Sequence, residues 1–266
     1  MTTPSSDDVF ARARSESRAA LVGYLPAGFP SYEVCIEALN AMVDAGVDLL
    51  EVGLPYSDPV IDGPTIQAAA EQALRNGTRT KDVLRTVEAL AGSGISAVVM
   101  TYWNPVVRYG VDAFARDLRA AGGLGLITPD LIPDEAGEWL TASDEASLDR
   151  IFLVAPSSTE ERIARTVTAC RGWVYAASTM GVTGTRDHTS NVAPALVGRV
   201  RAATSLPVGV GLGVSNGAQA AEVASYADAV IVGSAFVRPL LDAESAAAGV
   251  KAVAELAADL AAGVRQ

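Results

Sequence analysis

Glu51 is the first residue whose position suggests chemistry, because it is a single carboxylate near the end of an apolar segment, residues 48–53. Side chains alternate along a β-strand, so Leu49, Glu51 and Gly53 would share one face. Burial disfavours the charged form of a carboxyl group and raises its pKa, toward values at which one group can both donate and accept a proton. The alternative, a salt bridge at the end of the strand, remains open at this point.

The segment that follows, residues 54–64, can bring a second carboxylate over the end of the same strand. It contains three prolines, which limit its conformations, together with Asp58 and Asp62. A carboxylate held opposite Glu51 would suit acid–base catalysis. Neither aspartate is diagnostic alone, because Asp62 and the glycine after it form a common turn sequence and Asp58 before proline is a weaker signal still.

Glycine-containing turns follow the last three predicted strands, at residues 178–184, 211–215 and 233–234. Main-chain N–H groups in such turns, and at the start of the helix expected at Ser234, can bind a phosphate without any Lys or Arg. The alternative is that these glycines only permit tight turns. Their occurrence in three successive turns favours a phosphate site.

The composition argues against several other kinds of active site. The 266-residue chain has two lysines, Lys81 and Lys251, and both fall in predicted helices, which argues against a Schiff base. Its single histidine, His188, excludes a site built on several histidines, and no nucleophile motif accompanies it. We therefore predict no metal, and a reaction that uses carboxylates, hydroxyls and main-chain amides.

Charge and hydropathy narrow the function further. Lys and Arg total 20 against 31 Asp and Glu, and the net charge of −11 argues against nucleic-acid binding. The first residues lack the basic and apolar parts of a signal peptide, and no apolar run is long enough to span a bilayer. We expect a soluble cytoplasmic protein with a mobile polar tail at residues 1–8. Cys35 and Cys170 are predicted to be buried free thiols.

Eight short apolar runs indicate strands, and amphipathic segments alternate with them. The predicted strands are residues 20–25, 48–53, 96–102, 123–128, 149–154, 173–177, 207–211 and 229–232. The main predicted helices are residues 33–44, 81–91, 111–121, 160–170, 193–203, 216–226 and 244–262, with Ser215 or Asn216 as the N-cap of the sixth. Continuous rather than alternating apolar runs are typical of parallel strands covered by helices.

This alternation predicts an α/β fold, a single (β/α)8 TIM barrel over residues 1–266 with extra short helices. An open doubly wound sheet is the main alternative. No Gly-x-Gly-x-x-Gly motif follows the first strand, which weakens a dinucleotide-binding version of that sheet. In a barrel, the loops after the strands carry the active site.

Two motifs in this framework resemble a known family. Residues 50–67, LEVGLPYSDPVIDGPTIQ, resemble the signature of the tryptophan synthase alpha subunit, and residues 181–184, GVTG, resemble its second motif. The resemblance extends over nearly the whole chain. It implies a (β/α)8 barrel that cleaves indole-3-glycerol phosphate to indole and glyceraldehyde 3-phosphate. It also implies a pyridoxal-phosphate (PLP)-dependent beta subunit as partner, in an α2β2 assembly, and no cofactor in this chain.

The resemblance places the family's two catalytic carboxylates at Glu51 and Asp62. Glu51 would protonate C3 of the indole ring and then take the proton of the adjacent glycerol hydroxyl. Asp62 would accept a hydrogen bond from the indole N–H and stabilise the positive charge that develops there. Their environments should separate their pKa values, since Asp62 must stay ionised. Tyr175 matches the family's active-site tyrosine, although an aromatic residue that fills the barrel is an open alternative.

Further positions follow from the same resemblance. The residues expected to bind substrate are Tyr24, Met100, Tyr102, Thr183, Gly184, Gly213, Gly233 and Ser234. Those expected to contact the beta subunit are Pro55, Asp58 and Asn104. Tyr24 and Met100 would line the indole pocket, and the glycines with Ser234 would hold the phosphate. Thr183 lies in a predicted mobile lid, about residues 179–191, and would bond Asp62 on closure.

Two alternatives to this function stay open: a free-standing indole-3-glycerol-phosphate lyase, and a non-catalytic activator of a beta-type partner. The intact carboxylates and glycine turns argue against the activator. Two departures from the family's pattern, Val60-Ile61 before Asp62 and Thr179-Met180 at the start of the lid, could alter loop closure.

Overall fold

The strands close into a barrel in the computed structural model, which describes residues 5–178 and 192–266. All eight are parallel and follow the chain order, and β1 pairs with both β2 and β8. They are β1 (Ala20–Pro26), β2 (Leu49–Gly53), β3 (Ala97–Met100), β4 (Gly125–Thr128), β5 (Asp149–Val154), β6 (Val174–Ala177), β7 (Val208–Gly211) and β8 (Ala229–Val232). This closure confirms the predicted (β/α)8 barrel and excludes the open sheet.

Helices surround the barrel in the described residues. They are α1 (Asp7–Ser15), α2 (Tyr32–Asp44), α3 (Pro64–Arg75), α4 (Thr80–Gly92), α5 (Trp103–Tyr109), α6 (Val111–Ala120), α7 (Gly137–Glu145), α8 (Glu160–Ala169), α9 (Val192–Arg201), α10 (Gly217–Ala224), α11 (Ser234–Asp242) and α12 (Ala246–Gly263). The sequence did not predict α1, α5 or α7. Each has nine residues or fewer, which leaves only a weak 3.6-residue period.

Burial explains why the strands read as continuous apolar runs. Every residue of β1, β2 and β8 is buried, because one face lines the barrel interior and the other meets the helices. Leu49, Val98 and Ile231 belong to the interior cluster. A larger cluster fills the layer between strands and helices. Glu51 is therefore a carboxyl group placed among apolar side chains by the pleat of β2.

The predicted polar tail at residues 1–8 is wrong for residues 6–8. Ser6 is fully buried, and its N–H and hydroxyl donate to Asp149 Oδ2 at 2.9 and 2.6 Å. Helix α1 begins at the next residue, and Phe10 packs on Trp173 at the closed end of the barrel. A buried carboxylate needs hydrogen-bond donors, and the donor comes from a residue 143 positions away in the chain, which local polarity does not reveal. Residues 1–4 lie outside the described residues.

Two local predictions, the N-cap of α10 and the buried free cysteines, are confirmed. Asn216 caps α10 by accepting a hydrogen bond from the Gln219 N–H at 2.9 Å. Cys35 and Cys170 are free and buried. Across residues 5–178 and 192–266, no helix is both long and apolar enough to cross a membrane.

Candidate active site

The carboxyl ends of the strands surround a cavity, which we call the active-site cavity. Seven of the predicted site residues line it: Tyr24, Glu51, Asp62, Met100, Tyr102, Tyr175 and Gly233. They come from β1, β2, β3, β6 and the segments that follow β2, β3 and β8. Barrel closure thus brings together residues that are far apart in the chain. In the described part of the chain, no group of three or more His, Cys, Asp or Glu is arranged to hold a metal ion.

Glu51 reaches into this cavity from the middle of β2. It is 1% exposed, and no hydrogen-bond partner for its Oε1 atom exists among the described residues. The strand-end salt bridge that the sequence left open is therefore absent from the described structure. Burial raises the pKa of Glu51 to about 8, so the carboxyl group is largely protonated at neutral pH. A protonated buried carboxyl is a proton donor.

Asp62 enters the same cavity from the loop between β2 and α3. Burial raises its pKa as well, while hydrogen bonding from the Tyr102 side chain lowers it in part. The two carboxyl groups thus experience the same cost of burial, but in the described structure only Asp62 has a donor that favours its charged form. This difference separates the two pKa values in the direction expected from the sequence.

Tyr102 contacts the loop that carries Asp62. Its hydroxyl accepts hydrogen bonds from the main-chain N–H groups of Val60 and Ile61 at 3.2 and 3.1 Å. The side chains of those two residues are 76% and 55% exposed, so they do not hold the loop by packing. The bulky pair noted in the sequence therefore points away from the barrel while its main chain is bound by Tyr102.

Two further tyrosines flank Glu51, and each needs a glycine on the neighbouring strand. A Cβ atom on Gly53 would lie 2.4 Å from the Tyr24 hydroxyl, and one on Gly211 would lie 2.6 Å from the Tyr175 hydroxyl. Burial and the negative charge of Glu51 raise the pKa of both tyrosines well above the ordinary value, with a contribution of Asp62 at Tyr24. Both hydroxyls remain protonated and can donate hydrogen bonds in the cavity.

The Tyr175 geometry leads to a stability prediction. Gly211→Ala should lower the free energy of unfolding by about 1–3 kcal/mol, the usual cost of an overpacked site, since the tyrosine must move. Adding Tyr175→Phe to Gly211→Ala should recover part of this loss, because the hydroxyl makes the shortest contact. Thermal unfolding of the three proteins measures the effect.

Gly198 provides a matched glycine in α9. A Cβ there meets no atom within 4 Å, so Gly198→Ala should leave the protein as stable or raise its stability by up to about 1 kcal/mol. A Gly211→Ala protein as stable as Gly198→Ala would contradict the close approach.

Of the described positions predicted to bind phosphate, Gly233 lines the active-site cavity, whereas Gly213 and Ser234 are not among its lining residues. Gly213 has φ +84°, a left-handed conformation that glycine adopts without strain. Gly233 lies directly before α11, whose first turn has no side-chain cap, which leaves N–H groups such as that of Ser234 available to an anion. Thr183 and Gly184, and with them the predicted lid, lie outside the described residues.

The predicted partner residues differ in exposure. Asp58 and Asn104 are exposed, whereas Pro55 is buried in this chain and offers a partner little surface. Asn104 donates a hydrogen bond to the Tyr56 hydroxyl at 3.1 Å, and the Tyr56 ring packs on Tyr102 at 5.2 Å between centroids. Tyr56, which follows β2, thus contacts Tyr102 and Asn104, which follow β3.

Sequence reasoning missed part of the cavity wall. Leu54, Ile66, Thr101, Pro129 and Ile231 also line it. Side chains alternate along β8, so the sequence could have predicted that Ile231 points into the barrel interior. The same alternation was used to place Glu51 on β2. The bonds from the loop main chain to Tyr102 leave no signal in the sequence, since any residue supplies an N–H.

The sequence is similar to known proteins over nearly its whole length. The family model of the tryptophan synthase alpha chain matches residues 10–265. The tryptophan synthase alpha chain of Acidothermus cellulolyticus is 67% identical over 255 residues, covering 96% of this chain and 95% of its own length. That of Mycobacteroides abscessus is 62% identical over 267 residues and covers both chains completely.

Solved structures agree with these relatives. A chain in a structure of Mycobacterium tuberculosis tryptophan synthase superposes with a TM-score of 0.93 at 60% identity, with full coverage of both chains. The alpha chain of Legionella pneumophila gives a TM-score of 0.88 at 29% identity, covering 97% of this chain and 96% of its own. The barrel and its helices are thus similar to those of both proteins over nearly their whole length.

Proposed function

The chain belongs to the tryptophan synthase alpha chain family, and on that premise we propose that the active-site cavity, with Glu51 and Asp62, is where its reaction occurs. Members of the family cleave indole-3-glycerol phosphate to indole and glyceraldehyde 3-phosphate, and this chain is a carbon–carbon lyase of tryptophan biosynthesis. Its partner is the beta subunit of tryptophan synthase, which receives the indole. We further propose that the enzyme acts in the cytoplasm as an α2β2 assembly.

Glu51 begins the reaction as the proton donor. Its carboxyl group is protonated at neutral pH and faces the cavity without a partner for Oε1 among the described residues. Transfer of this proton to C3 of the indole ring converts the ring to an electron-poor indolenine cation. The ionised Glu51 then removes the proton from the hydroxyl on the carbon attached to C3. The C–O bond becomes a carbonyl, the C–C bond breaks, and its electrons return to the ring, so that Glu51 ends protonated as it began.

Asp62 stabilises the charge that forms between these two steps. As a carboxylate, it would accept a hydrogen bond from the indole N–H, where positive charge develops once C3 is protonated. A charge of opposite sign inside a partly buried cavity is more effective than one in water. Hydrogen bonding from Tyr102 lowers the pKa of Asp62 and so offsets part of the effect of burial, which favours the charged form that this role requires.

The remaining residues bind and orient the substrate. The rings of Tyr24 and Tyr175 and the side chain of Met100 form apolar walls suited to an indole. Main-chain N–H groups at Gly213, Gly233 and Ser234 would hold the phosphate, with Gly184 as a fourth position outside the described residues. All chemical steps in this scheme use side chains of this chain, and we propose that PLP serves the beta subunit alone.

The observation that carries this proposal is the buried Glu51 carboxyl, which shares one cavity with Asp62 and lacks a partner for Oε1 in the described structure. The purified chain should therefore release indole from indole-3-glycerol phosphate without a beta subunit. The value of kcat/KM should fall as pH rises through about 8, because the proton donor is then lost. An indole-specific colour assay across pH measures both effects. A chain that releases no indole alone or with an added beta subunit would overturn the proposal.

A further inference from the structure

We propose that Tyr102 is a positioning residue for Asp62, which holds the loop of residues 57–63 in place through its hydroxyl. This assignment rests on the proposed function, in which Asp62 acts as the carboxylate at the indole nitrogen. It differs from the substrate-binding role that the sequence predicts for Tyr102, because the contacts of the hydroxyl are with the loop.

The loop that carries Asp62 has little packing of its own. It runs between two buried residues, Pro55 and Thr65, and all side chains of residues 57–63 are exposed or half-buried. Val60 and Ile61, the largest apolar ones, point into solvent. Burial of side chains therefore cannot fix the position of Asp62, and the main chain must be held by hydrogen bonds.

The Tyr102 hydroxyl supplies those bonds. It accepts from two successive N–H groups, at 3.2 and 3.1 Å. Outside the loop and helix α3, no other group among the described residues bonds the main chain of residues 57–63. Tyr102 itself is 5% exposed at the junction of β3 and α5, and its ring packs on Tyr56. Within the described residues, the loop main chain is thus held from two sides: by Tyr102 at Val60 and Ile61, and by Gln67 of α3, which donates to the carbonyl oxygens of Asp62 and Gly63 at 2.7 and 3.0 Å.

The same hydroxyl can act on the charge of Asp62. A phenol oxygen that accepts two N–H groups still has its own proton to donate, and the Asp62 carboxyl lines the same cavity as this hydroxyl. This interaction lowers the pKa of Asp62 against the effect of burial, which raises it. One hydroxyl therefore holds the loop that carries the carboxylate and favours its ionised form, and a phenylalanine of the same shape could do neither.

Tyr102→Phe tests this assignment because it keeps the ring and removes only the hydroxyl. We expect kcat to fall by about 10- to 100-fold, the usual cost of a displaced catalytic group, with KM within about threefold of wild type. The acidic limb of the kcat/KM profile should move to higher pH, because Asp62 loses the donor that favours its charge. The substrate phosphate also ionises with pH. It does so equally for wild type and variant, so it does not contribute to the difference between their pH profiles.

Tyr109→Phe is the matched control. Tyr109 ends α5, and its hydroxyl also donates to an aspartate, Asp117, at 2.7 Å, but outside the cavity. Its removal should change neither kcat nor the pH profile. Incorporation of 3-fluorotyrosine at position 102 keeps the ring and hydroxyl while strengthening the donor, and should move the acidic limb to lower pH.

Three results would overturn the assignment: wild-type kcat and acidic limb in Tyr102→Phe, a raised KM with unchanged kcat, or an acidic limb that fluorination does not move. The second would return Tyr102 to the wall of the substrate pocket. In each case, a strong defect in Asp62→Asn would leave the proposed function intact. Wild-type activity in Asp62→Asn would instead overturn the proposed function.

Discussion

Replacing Glu51 by glutamine is expected to lower kcat for indole release by about 10²–10⁴, the usual contribution of a positioned acid–base group. Glutamine has nearly the same shape and is neutral, as the buried carboxyl is at neutral pH, so it can occupy the site without a new buried charge. It cannot deliver a proton to C3 or take one from the glycerol hydroxyl. KM should change little, since no binding group is removed. Single-turnover release of indole measures the chemical step directly.

The fold of this variant should be intact, and its Tm should match or exceed that of wild type. Between the ordinary glutamate pKa of about 4.3 and about pH 8, the unfolded wild-type chain ionises at Glu51 while the folded protein keeps the proton, so the stability advantage of the variant should grow across this range and stay constant above it. Glu37→Gln, an exposed change on α2 outside the cavity, is the control and should keep full activity. Near-normal turnover in a folded Glu51→Gln protein would exclude the proposed role.

Asp62→Asn is expected to give the second largest loss, about 10²–10³ in kcat, which is typical when one preorganised electrostatic contact is removed. The amide keeps the size of the side chain and an oxygen that can accept the indole N–H, but it carries no charge to stabilise the indolenine cation. The acidic limb that reports the ionisation of Asp62 should disappear from the pH profile. Steady-state kinetics across pH measures both effects.

Asp44→Asn, an exposed change at the end of α2, is the matched control and should leave the kinetics unchanged. Combining Glu51→Gln with Asp62→Asn should cost less than the product of the two single losses, because both groups act on one transition state. Fully multiplicative losses, or an Asp62→Asn protein with wild-type kcat, would show that the two carboxyl groups do not act together.

The sequence predicted the framework well because burial on both faces of a parallel strand leaves a local pattern. Every predicted strand boundary lies within two residues of the observed one. A carboxylate near the C-terminal end of an otherwise apolar strand made Glu51 a candidate, since a buried carboxyl must be either paired or used. Family resemblance then linked Asp62 and the tyrosines to the same site.

Contacts between distant residues escaped prediction. Ser6 is buried because Asp149 needs a donor, and nothing near residue 6 indicates this. Tyr102 was predicted as a substrate contact, yet its hydroxyl bonds main-chain groups that any sequence would supply. Tyr24 was expected as an apolar wall, and the additional placement of its hydroxyl over Gly53, with both carboxyl groups contributing to its raised pKa, was not predicted. Each of these contacts joins residues that are brought together only by the tertiary structure, so the local sequence does not indicate them.

The central physical claim is that burial keeps the resting Glu51 protonated, so that one carboxyl group can serve first as acid and then as base. Infrared difference spectra between the wild type and Glu51→Gln, recorded across pH, observe the C=O band of this single carboxylic acid. We expect the band to be present at neutral pH and to disappear with a midpoint near pH 8. A midpoint near the ordinary glutamate pKa of about 4.3, with no such band at neutral pH, would contradict it.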